Sequence, residues 1–170
     1  RKQRFLVKNL RAYVQIDSIK TDGDIPIDIK ETTILGQYAP IIDIIENSIK
    51  YSCKITCPVD AVTSKNLEDI GKDKDIKEID DDEMILDIGP KTISSIKTII
   101  NDSNTVLWNG PAGYFENPNF QNGTKKILEI ISQKTKKDKI FSVAGGGETV
   151  AAINKFKMLD SFTFISTAGG

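Results

Sequence analysis

Short apolar runs and longer amphipathic segments alternate along this chain from about residue 34 onward. Runs rich in Ile, Val and Phe are typical of buried strands, and they lie at 54–57, 59–63, 84–88, 105–108, 139–144 and 162–165. Segments with apolar residues three or four positions apart are typical of helices, and they cover about 40–50, 92–100, 118–131 and 150–156. This order predicts an α/β fold: a doubly wound parallel sheet with helices on both faces, in a Rossmann-like three-layer arrangement.

The remaining parts of the chain give weaker patterns. Short strands are predicted at 5–7 and 12–16 and a turn at 21–24, but residues 1–30 as a whole stay unassigned. The run of mixed charge at 69–83 ends in four acidic residues, yet it lacks the spacing and the glycine of a calcium-binding loop. We therefore expect that run to be a solvated loop.

Glycine-bearing loops follow four of the predicted strands, at 89–90, 109–113, 145–147 and 168–170. In an open parallel sheet, ligands bind beyond the carboxyl ends of the strands. Because all four loops leave such ends, we expect them to converge on one crevice.

The most informative of these loops is a run of three glycines, Gly145 to Gly147, between an apolar strand and an amphipathic helix. Glycines let a ligand approach the backbone, and the unpaired N–H groups of a helix N-terminus favour phosphate. Thr149 adds a hydroxyl donor, and Glu148 supplies a carboxylate close to where a phosphate-bound metal ion would lie. A tight strand-to-helix turn without a ligand explains this stretch equally well when it is taken alone.

Composition narrows the possible chemistry. The 170 residues suffice for one globular domain, and the net charge of -1 gives no field that would attract nucleic acid or a membrane surface. No apolar run is long enough to span a bilayer and the N-terminal residues do not resemble a signal peptide, so we expect a cytoplasmic protein. The chain contains no histidine, which excludes Ser-His and Cys-His catalysis. Any reaction must therefore rely on backbone dipoles, lysines, carboxylates or a metal.

The two cysteines, Cys53 and Cys57, are too few and too widely spaced for a usual zinc site. We expect them to be reduced residues of the core.

The standard nucleotide-binding motifs are absent from the sequence, because the glycine turn lacks GxGxxG spacing and no Gly-Lys-Ser/Thr completes a Walker A loop. Taken together, however, five segments resemble the nucleotide-binding half of phosphoglycerate kinase. They are CPVD at 57–60, LDIGP at 86–90, VLWNGPAGYFE at 106–116, GGGET at 145–149 and ISTAGG at 165–170. They follow the order and spacing of that family, and the resemblance extends over about residues 34–170.

The phosphoglycerate kinase family transfers a phosphoryl group reversibly from 1,3-bisphosphoglycerate to Mg-ADP, giving 3-phosphoglycerate and ATP in glycolysis. Its members have two doubly wound lobes, and this chain resembles the C-terminal lobe, which binds the nucleotide. The resemblance implies an unassigned segment at 1–30 and a partial nucleotide-binding lobe at 31–170. It also implies ADP or ATP with Mg²⁺ as ligands, while 3-phosphoglycerate or 1,3-bisphosphoglycerate would bind only where a second lobe is supplied. No nucleic acid or membrane is expected as a partner.

The resemblance also implies roles for individual residues. Gly89, Asn109, Gly110 and Tyr114 would line the adenosine site, and Glu116 would accept hydrogen bonds from the ribose hydroxyls. Gly145, Gly146, Gly147 and Thr149 would hold the nucleotide phosphates, and Glu148 would coordinate Mg²⁺. Thr167, Gly169 and Gly170 would be the catalytic residues, which offer backbone donors to the transferring phosphoryl group.

The sequence departs from the family pattern at three positions. Glu148 replaces the usual aspartate and adds a methylene at the metal site, and Ala168 replaces a glycine. Tyr114 replaces a small aliphatic residue, and it would either stack on the adenine or crowd it.

The Gly-Gly-x-Lys segment that carries the family's catalytic lysine does not occur in residues 1–30, so we expect a truncated or decayed gene product. A non-catalytic remnant that still binds Mg-ADP is the alternative to an active kinase. An interaction module with a glycine-rich scaffold has no positive sequence feature in its favour.

Overall fold

The computed structural model of the protein describes residues 3–6, 13–16, 45, 47–51, 53–137 and 139–166. Strands β1 (Gln3–Leu6) and β2 (Tyr13–Ile16) form a two-stranded sheet, close to where the sequence predicts short strands. Residues 45 and 47–50 are helical, as predicted. The predicted turn at 21–24 and the start of the helix predicted from residue 40 lie outside the described residues.

A second sheet is antiparallel and has β3 (Asp60–Ser64) at its centre. Strand β4 (Lys72–Asp75) pairs with one edge of β3, and β5 (Met84–Ile88) pairs with the other. The prediction for 69–83 is therefore wrong in part, because this run contains β4 and a 3₁₀ turn at Ile76–Glu78. Its lysines and aspartates alternate along an edge strand, where charged side chains can remain in water.

The strand predicted at 54–57 is also wrong, because these residues have no regular secondary structure. The two cysteines beside this segment are free thiols but are exposed, so their predicted place in the core is wrong as well. A short apolar run followed by proline cannot by itself reveal whether a partner strand lies beside it.

The third sheet is parallel and consists of β6 (Thr105–Asn109), β7 (Phe141–Gly145) and β8 (Phe164–Ser166), with β7 in the middle. Buried Trp108, Ser142 and Ala144 alternate with more accessible neighbours along these strands, which is the period of two expected when a sheet buries one face. This sheet and the helices that follow its strands confirm the predicted α/β fold with a helix-flanked parallel sheet.

Helix α1 (Pro90–Asp102) follows β5, α2 (Asn122–Thr135) follows β6, and α3 (Gly147–Lys155) follows β7. Short 3₁₀ turns at Pro118–Phe120 and Leu159–Ser161 precede α2 and β8. The helices contribute apolar residues at helical spacing to one core cluster, which also contains residues of the parallel sheet. The buried members of that cluster are Ile88, Ile100, Trp108, Phe115, Ile127, Leu128, Ile131, Ile140, Ala144, Ala152 and Ile153.

Within the described residues, no helix is long and apolar enough to cross a membrane. The chain divides into two compact units, and all described residues from Pro58 to Ser166 belong to the second. The boundary predicted at residue 30, between an unassigned segment and a nucleotide-binding lobe, stays a prediction.

Candidate functional site

The ends of the three parallel strands lie side by side. In the register of the sheet, Asn109 of β6 pairs with Gly145 of β7, and Gly145 pairs with Ser166 of β8. The loops that follow β6 and β7 therefore leave the same edge of the sheet at the same level. This geometry agrees with the expected convergence of the glycine-bearing loops for these two strands, and the loop after β8 lies outside the described residues.

The three glycines make the turn from β7 into α3, and each has a different environment. Gly146 is the residue before the helix, and its φ of 90° lies where side chains are strained. A Cβ atom on Gly146 would lie 2.6 Å from the Asn109 side-chain oxygen. At Gly145 and Gly147, in contrast, a Cβ atom would meet no atom within 4 Å. Asn109 therefore leaves no room for a side chain at Gly146, whereas the space beside Gly145 and Gly147 is open.

Helix α3 begins at Gly147 without a side-chain cap on its first turn. Its first backbone N–H groups have no partner within the helix, and the helix dipole places partial positive charge beside them. Glu148 lies in this first turn, and its side chain is exposed. An exposed helix N-terminus that follows an open glycine turn can accept an anion such as phosphate.

Thr149 differs from the other residues of the turn because its side chain is buried, with 1% of the residue exposed. Its hydroxyl oxygen accepts a hydrogen bond of 2.6 Å from the backbone N–H of Gly110. Thr149 therefore ties the start of α3 to the loop after β6. Its hydroxyl group still has a proton to donate, so this contact does not test the predicted role in phosphate binding.

Within the described residues, no group of three or more carboxylate and thiol side chains could hold a metal ion alone. Mg²⁺ is commonly held by one or two carboxylates together with phosphate oxygens and water. The exposed carboxylate of Glu148, on the first turn beside the open glycines, fits that pattern. A metal at this position would therefore have to arrive with a phosphate-bearing ligand.

The loop between β6 and α2 is held at several points. The backbone N–H of Tyr114 donates to the Leu86 carbonyl over 2.8 Å, and those of Ala112 and Gly113 each donate to the Thr124 hydroxyl oxygen over 3.1 Å. Tyr114 is partly accessible and Glu116 is exposed, so both side chains can reach a ligand.

Lys155, at the end of α3, holds the middle of the same loop. Its ammonium group donates to the carbonyl oxygens of Phe115, over 2.5 Å, and Glu116, over 3.1 Å. The structure thus brings Asn109, Gly110, Gly146 and Thr149 together at the start of α3. At the other end of α3, Lys155 binds the backbone of Glu116.

Gly89, at the start of α1, is positioned by Asp60 of β3. Both oxygens of the buried Asp60 carboxylate accept backbone N–H groups of the first turn, from Lys91 over 2.7 Å and from Thr92 over 2.8 Å. The Thr92 hydroxyl donates to the same carboxylate over 2.6 Å. A Cβ atom on Gly89 would overlap with this carboxyl group.

The helix predicted over about 92–100 spans Pro90–Asp102 in the structure. The helix begins after Gly89, and the acceptor for its first turn is Asp60, which lies thirty residues earlier in the chain. No role for Asp60 follows from the sequence pattern, although an aspartate within a strand-like run is a signal that a buried acceptor is needed.

Asp87 of β5 is a second buried carboxyl group for which the sequence pattern predicts no role. Its two oxygens accept the backbone N–H groups of Ile88, over 2.8 Å, and Gly123, over 2.7 Å. Burial raises the pKa of Asp87 to about 7, although these two hydrogen bonds act in the opposite direction. Cβ atoms on Gly113 or Gly123 would overlap with this carboxyl group. Asp87 thus holds the start of α2 against β5, and the loop after β6 passes close to its carboxyl group at Gly113.

Three predicted catalytic residues, Thr167, Gly169 and Gly170, lie outside the described residues, as does Ala168. Strand β8 ends at Ser166 beside Gly145, so the chain leaves the described part at the level of the glycine turn.

Comparison with known proteins agrees with this arrangement. The family model described as phosphoglycerate kinase matches residues 16–170. The phosphoglycerate kinase of Wolbachia pipientis subsp. Culex pipiens is 45% identical over 130 residues, which cover 75% of this chain and 33% of that protein. The phosphoglycerate kinase of Francisella philomiragia subsp. philomiragia is 41% identical over 155 residues, 89% of this chain and 38% of that protein.

Solved structures show the same likeness. The phosphoglycerate kinase of Coxiella burnetii matches with a TM-score of 0.71 and 31% identity over 82% of this chain and 35% of that one. The phosphoglycerate kinase of Pyrococcus horikoshii matches with a TM-score of 0.59 and 25% identity over the same shares. The chain spans about a third of the length of the relatives it matches. On the match of the family model to residues 16–170, this chain belongs to the phosphoglycerate kinase family.

Proposed function

We propose that this chain carries the Mg-ADP and Mg-ATP site of a phosphoglycerate kinase. The reaction would be phosphoryl transfer from 1,3-bisphosphoglycerate to ADP, giving 3-phosphoglycerate and ATP, and its place would be glycolysis in the cytoplasm. The observation that carries the proposal is the open glycine turn at the N-terminus of α3, level with the end of β6.

The phosphates of the nucleotide would bind at this turn. Gly145 and Gly147 leave room for phosphate oxygens, because no atom lies within 4 Å of the positions that their Cβ atoms would take. The first N–H groups of α3 would donate to those oxygens, and the dipole of α3 would favour their negative charge. Thr149 would add its hydroxyl proton while its oxygen keeps the bond to Gly110.

Glu148 would hold Mg²⁺ together with the phosphate oxygens. Bound Mg²⁺ would neutralise charge that develops on the transferring phosphoryl group. Phosphoryl transfer depends more on positioning and on charge neutralisation than on a general base, so a chain without histidine suits this reaction.

The nucleoside would extend from the turn along the loop after β6. Asn109, Gly110 and Tyr114 would line the adenosine, with Gly89 at the start of α1, and Glu116 would accept from the ribose. Thr167, Gly169 and Gly170 are proposed to offer backbone donors to the transferring phosphoryl group. No residue in the described part of the chain is proposed to hold the acid substrate.

Unfolding of the purified chain with and without Mg-ADP tests the nucleotide site. Free ligand at 100 times its Kd should raise the free energy of unfolding by about 2.7 kcal/mol. An unchanged unfolding curve at millimolar ADP, with and without Mg²⁺, would contradict the proposal. A coupled assay for ATP formation from 1,3-bisphosphoglycerate then separates an active kinase from a chain that binds the nucleotide without turnover.

A further inference from the structure

Lys155 lies in the last turn of α3, at the opposite end of the helix from the glycine turn. Its ammonium group donates to the carbonyl oxygens of Phe115 and Glu116, forty and thirty-nine residues earlier in the chain. The ammonium nitrogen also lies 5.9 Å from the centroids of the Phe115 and Phe156 rings, where a cation is attracted to the aromatic face. The side chain is thus directed at the backbone of the loop after β6.

Helix α3 therefore holds this loop at two points. Near its N-terminus, Thr149 accepts from Gly110 at the start of the loop, and near its C-terminus Lys155 donates to Phe115 in the middle of the loop. Six positions along a helix correspond to about 9 Å. One helix thus sets the distance between the start and the middle of the loop, and the glycine turn leads into that same helix.

Both hydrogen-bond acceptors of the Lys155 ammonium group are backbone carbonyl oxygens. The ammonium group binds the backbone oxygen of Glu116 over 3.1 Å. Because this bond is made to the backbone, it fixes the position of the residue without consuming its carboxylate. The Glu116 side chain is exposed. This arrangement suits a residue whose side chain is to contact a ligand.

We propose that Lys155 is a positioning residue for the nucleoside end of the nucleotide site. It holds Tyr114 to Glu116 at a fixed distance from the glycine turn, so that one nucleotide can contact both. This inference rests on the proposed function. Under this inference, recognition of the nucleoside depends on a lysine that itself touches no ligand. Recognition of the phosphates does not depend on that lysine.

Comparing two probes tests this directly. Mg-ADP reaches both ends of the site, whereas magnesium pyrophosphate occupies only the phosphate end. Because hydrogen bonds from a charged donor are among the stronger ones, Lys155→Met should weaken Mg-ADP binding about tenfold or more. Pyrophosphate binding should change less than about twofold, since the glycine turn and the α3 dipole remain. Both Kd values are measured by isothermal titration calorimetry on the full chain.

Two further variants make the comparison specific. Lys155→Arg keeps a charged donor of similar reach and should retain Mg-ADP affinity within about threefold of the parent chain. Lys125→Met removes one positive charge from an exposed position of α2 and should leave both ligands unchanged. If Lys155→Met is unfolded by circular dichroism, Lys155→Gln, whose shorter amide keeps uncharged donors, is used for the same comparison.

The outcomes separate the inference from the proposed function. Equal weakening of Mg-ADP and pyrophosphate would show a general effect of charge or stability and would overturn the positioning role. Unchanged Mg-ADP binding in a folded Lys155→Met variant would also overturn it, with the nucleotide site intact. If the parent chain binds neither probe, the proposed function itself fails.

Discussion

The glycine turn offers a perturbation that separates protein stability from ligand binding. Gly147 is the first residue of α3, and a Cβ atom added there would meet no atom within 4 Å. The same holds for Gly145 at the end of β7. Gly145→Ala and Gly147→Ala, singly and combined, should therefore place methyl groups in space that only a ligand would use.

The expected effect on stability is small and of favourable sign. Replacing glycine by alanine where the backbone permits it stabilises a protein by about 0.4–1 kcal/mol, mainly because the unfolded chain loses freedom. Gly146→Ala is the matched control, since its φ of 90° and the Asn109 oxygen 2.6 Å from the new Cβ both oppose the substitution. Strained backbone of this kind costs about 1–3 kcal/mol.

The expected effect on binding has the opposite sign. A methyl group in the phosphate cradle should remove at least one charge-assisted hydrogen bond, which contributes about 1.5–3 kcal/mol. Mg-ADP should therefore bind about 10-fold to 100-fold more weakly to Gly147→Ala, and more weakly still to the combined variant.

Urea unfolding gives the stability of each variant, and isothermal titration calorimetry gives its Kd for Mg-ADP. We expect Gly145→Ala and Gly147→Ala to be as stable as the parent or more so, yet poor at binding. If the combined variant binds Mg-ADP as tightly as the parent chain does, phosphate does not bind at this turn and the assignment is wrong.

Three other substitutions test the proposed metal ligand Glu148 and the two buried carboxyl groups, Asp60 and Asp87. Glu148→Asp should tighten Mg-ADP binding while leaving metal-free ADP nearly unchanged, and equal effects on both ligands in calorimetry would argue against a metal ligand here. Asp60→Ala leaves two backbone N–H groups without their acceptor and the Thr92 hydroxyl with only the Asp60 carbonyl oxygen at 3.2 Å, so the free energy of urea unfolding should fall by about 2–4 kcal/mol; a loss below about 0.5 kcal/mol would contradict this role. Asp87 has its pKa raised from 3.8 to about 7, so the folded state holds a proton that the unfolded state has released, and stability is lost as pH rises between these values. Asp87→Asn should remove that pH-dependent loss, and parallel stability–pH profiles of the two proteins would refute it.

The strand, glycine turn and helix from β7 to α3 could be predicted from the sequence because their signals are local. An apolar strand, three glycines and an amphipathic helix follow one another within fifteen residues, and each follows from the spacing of neighbouring side chains. It could likewise be anticipated that β6 and β7 end at the same edge of the sheet, since strands joined through a helix are usually parallel.

Contacts between distant parts of the chain could not be predicted in this way. Asp60 caps α1 from β3, and Lys155 reaches a loop that lies forty residues earlier. No periodicity relates such pairs, because they depend on how the elements pack. The antiparallel pairing of β3 and β5 has the same origin, since the alternation of side chains is identical for either strand direction.

Mg-ADP is proposed to bind across the glycine turn and the loop after β6. Amide proton–nitrogen correlation spectra of the chain, recorded during a titration with Mg-ADP, test it residue by residue. We predict that the largest shifts occur at Gly145 to Thr149, at Gly110 and at Tyr114 to Glu116, with saturation at one equivalent of bound nucleotide. Spectra that do not change, or changes confined to the antiparallel sheet of β3, β4 and β5, would show that Mg-ADP does not bind at this turn and loop.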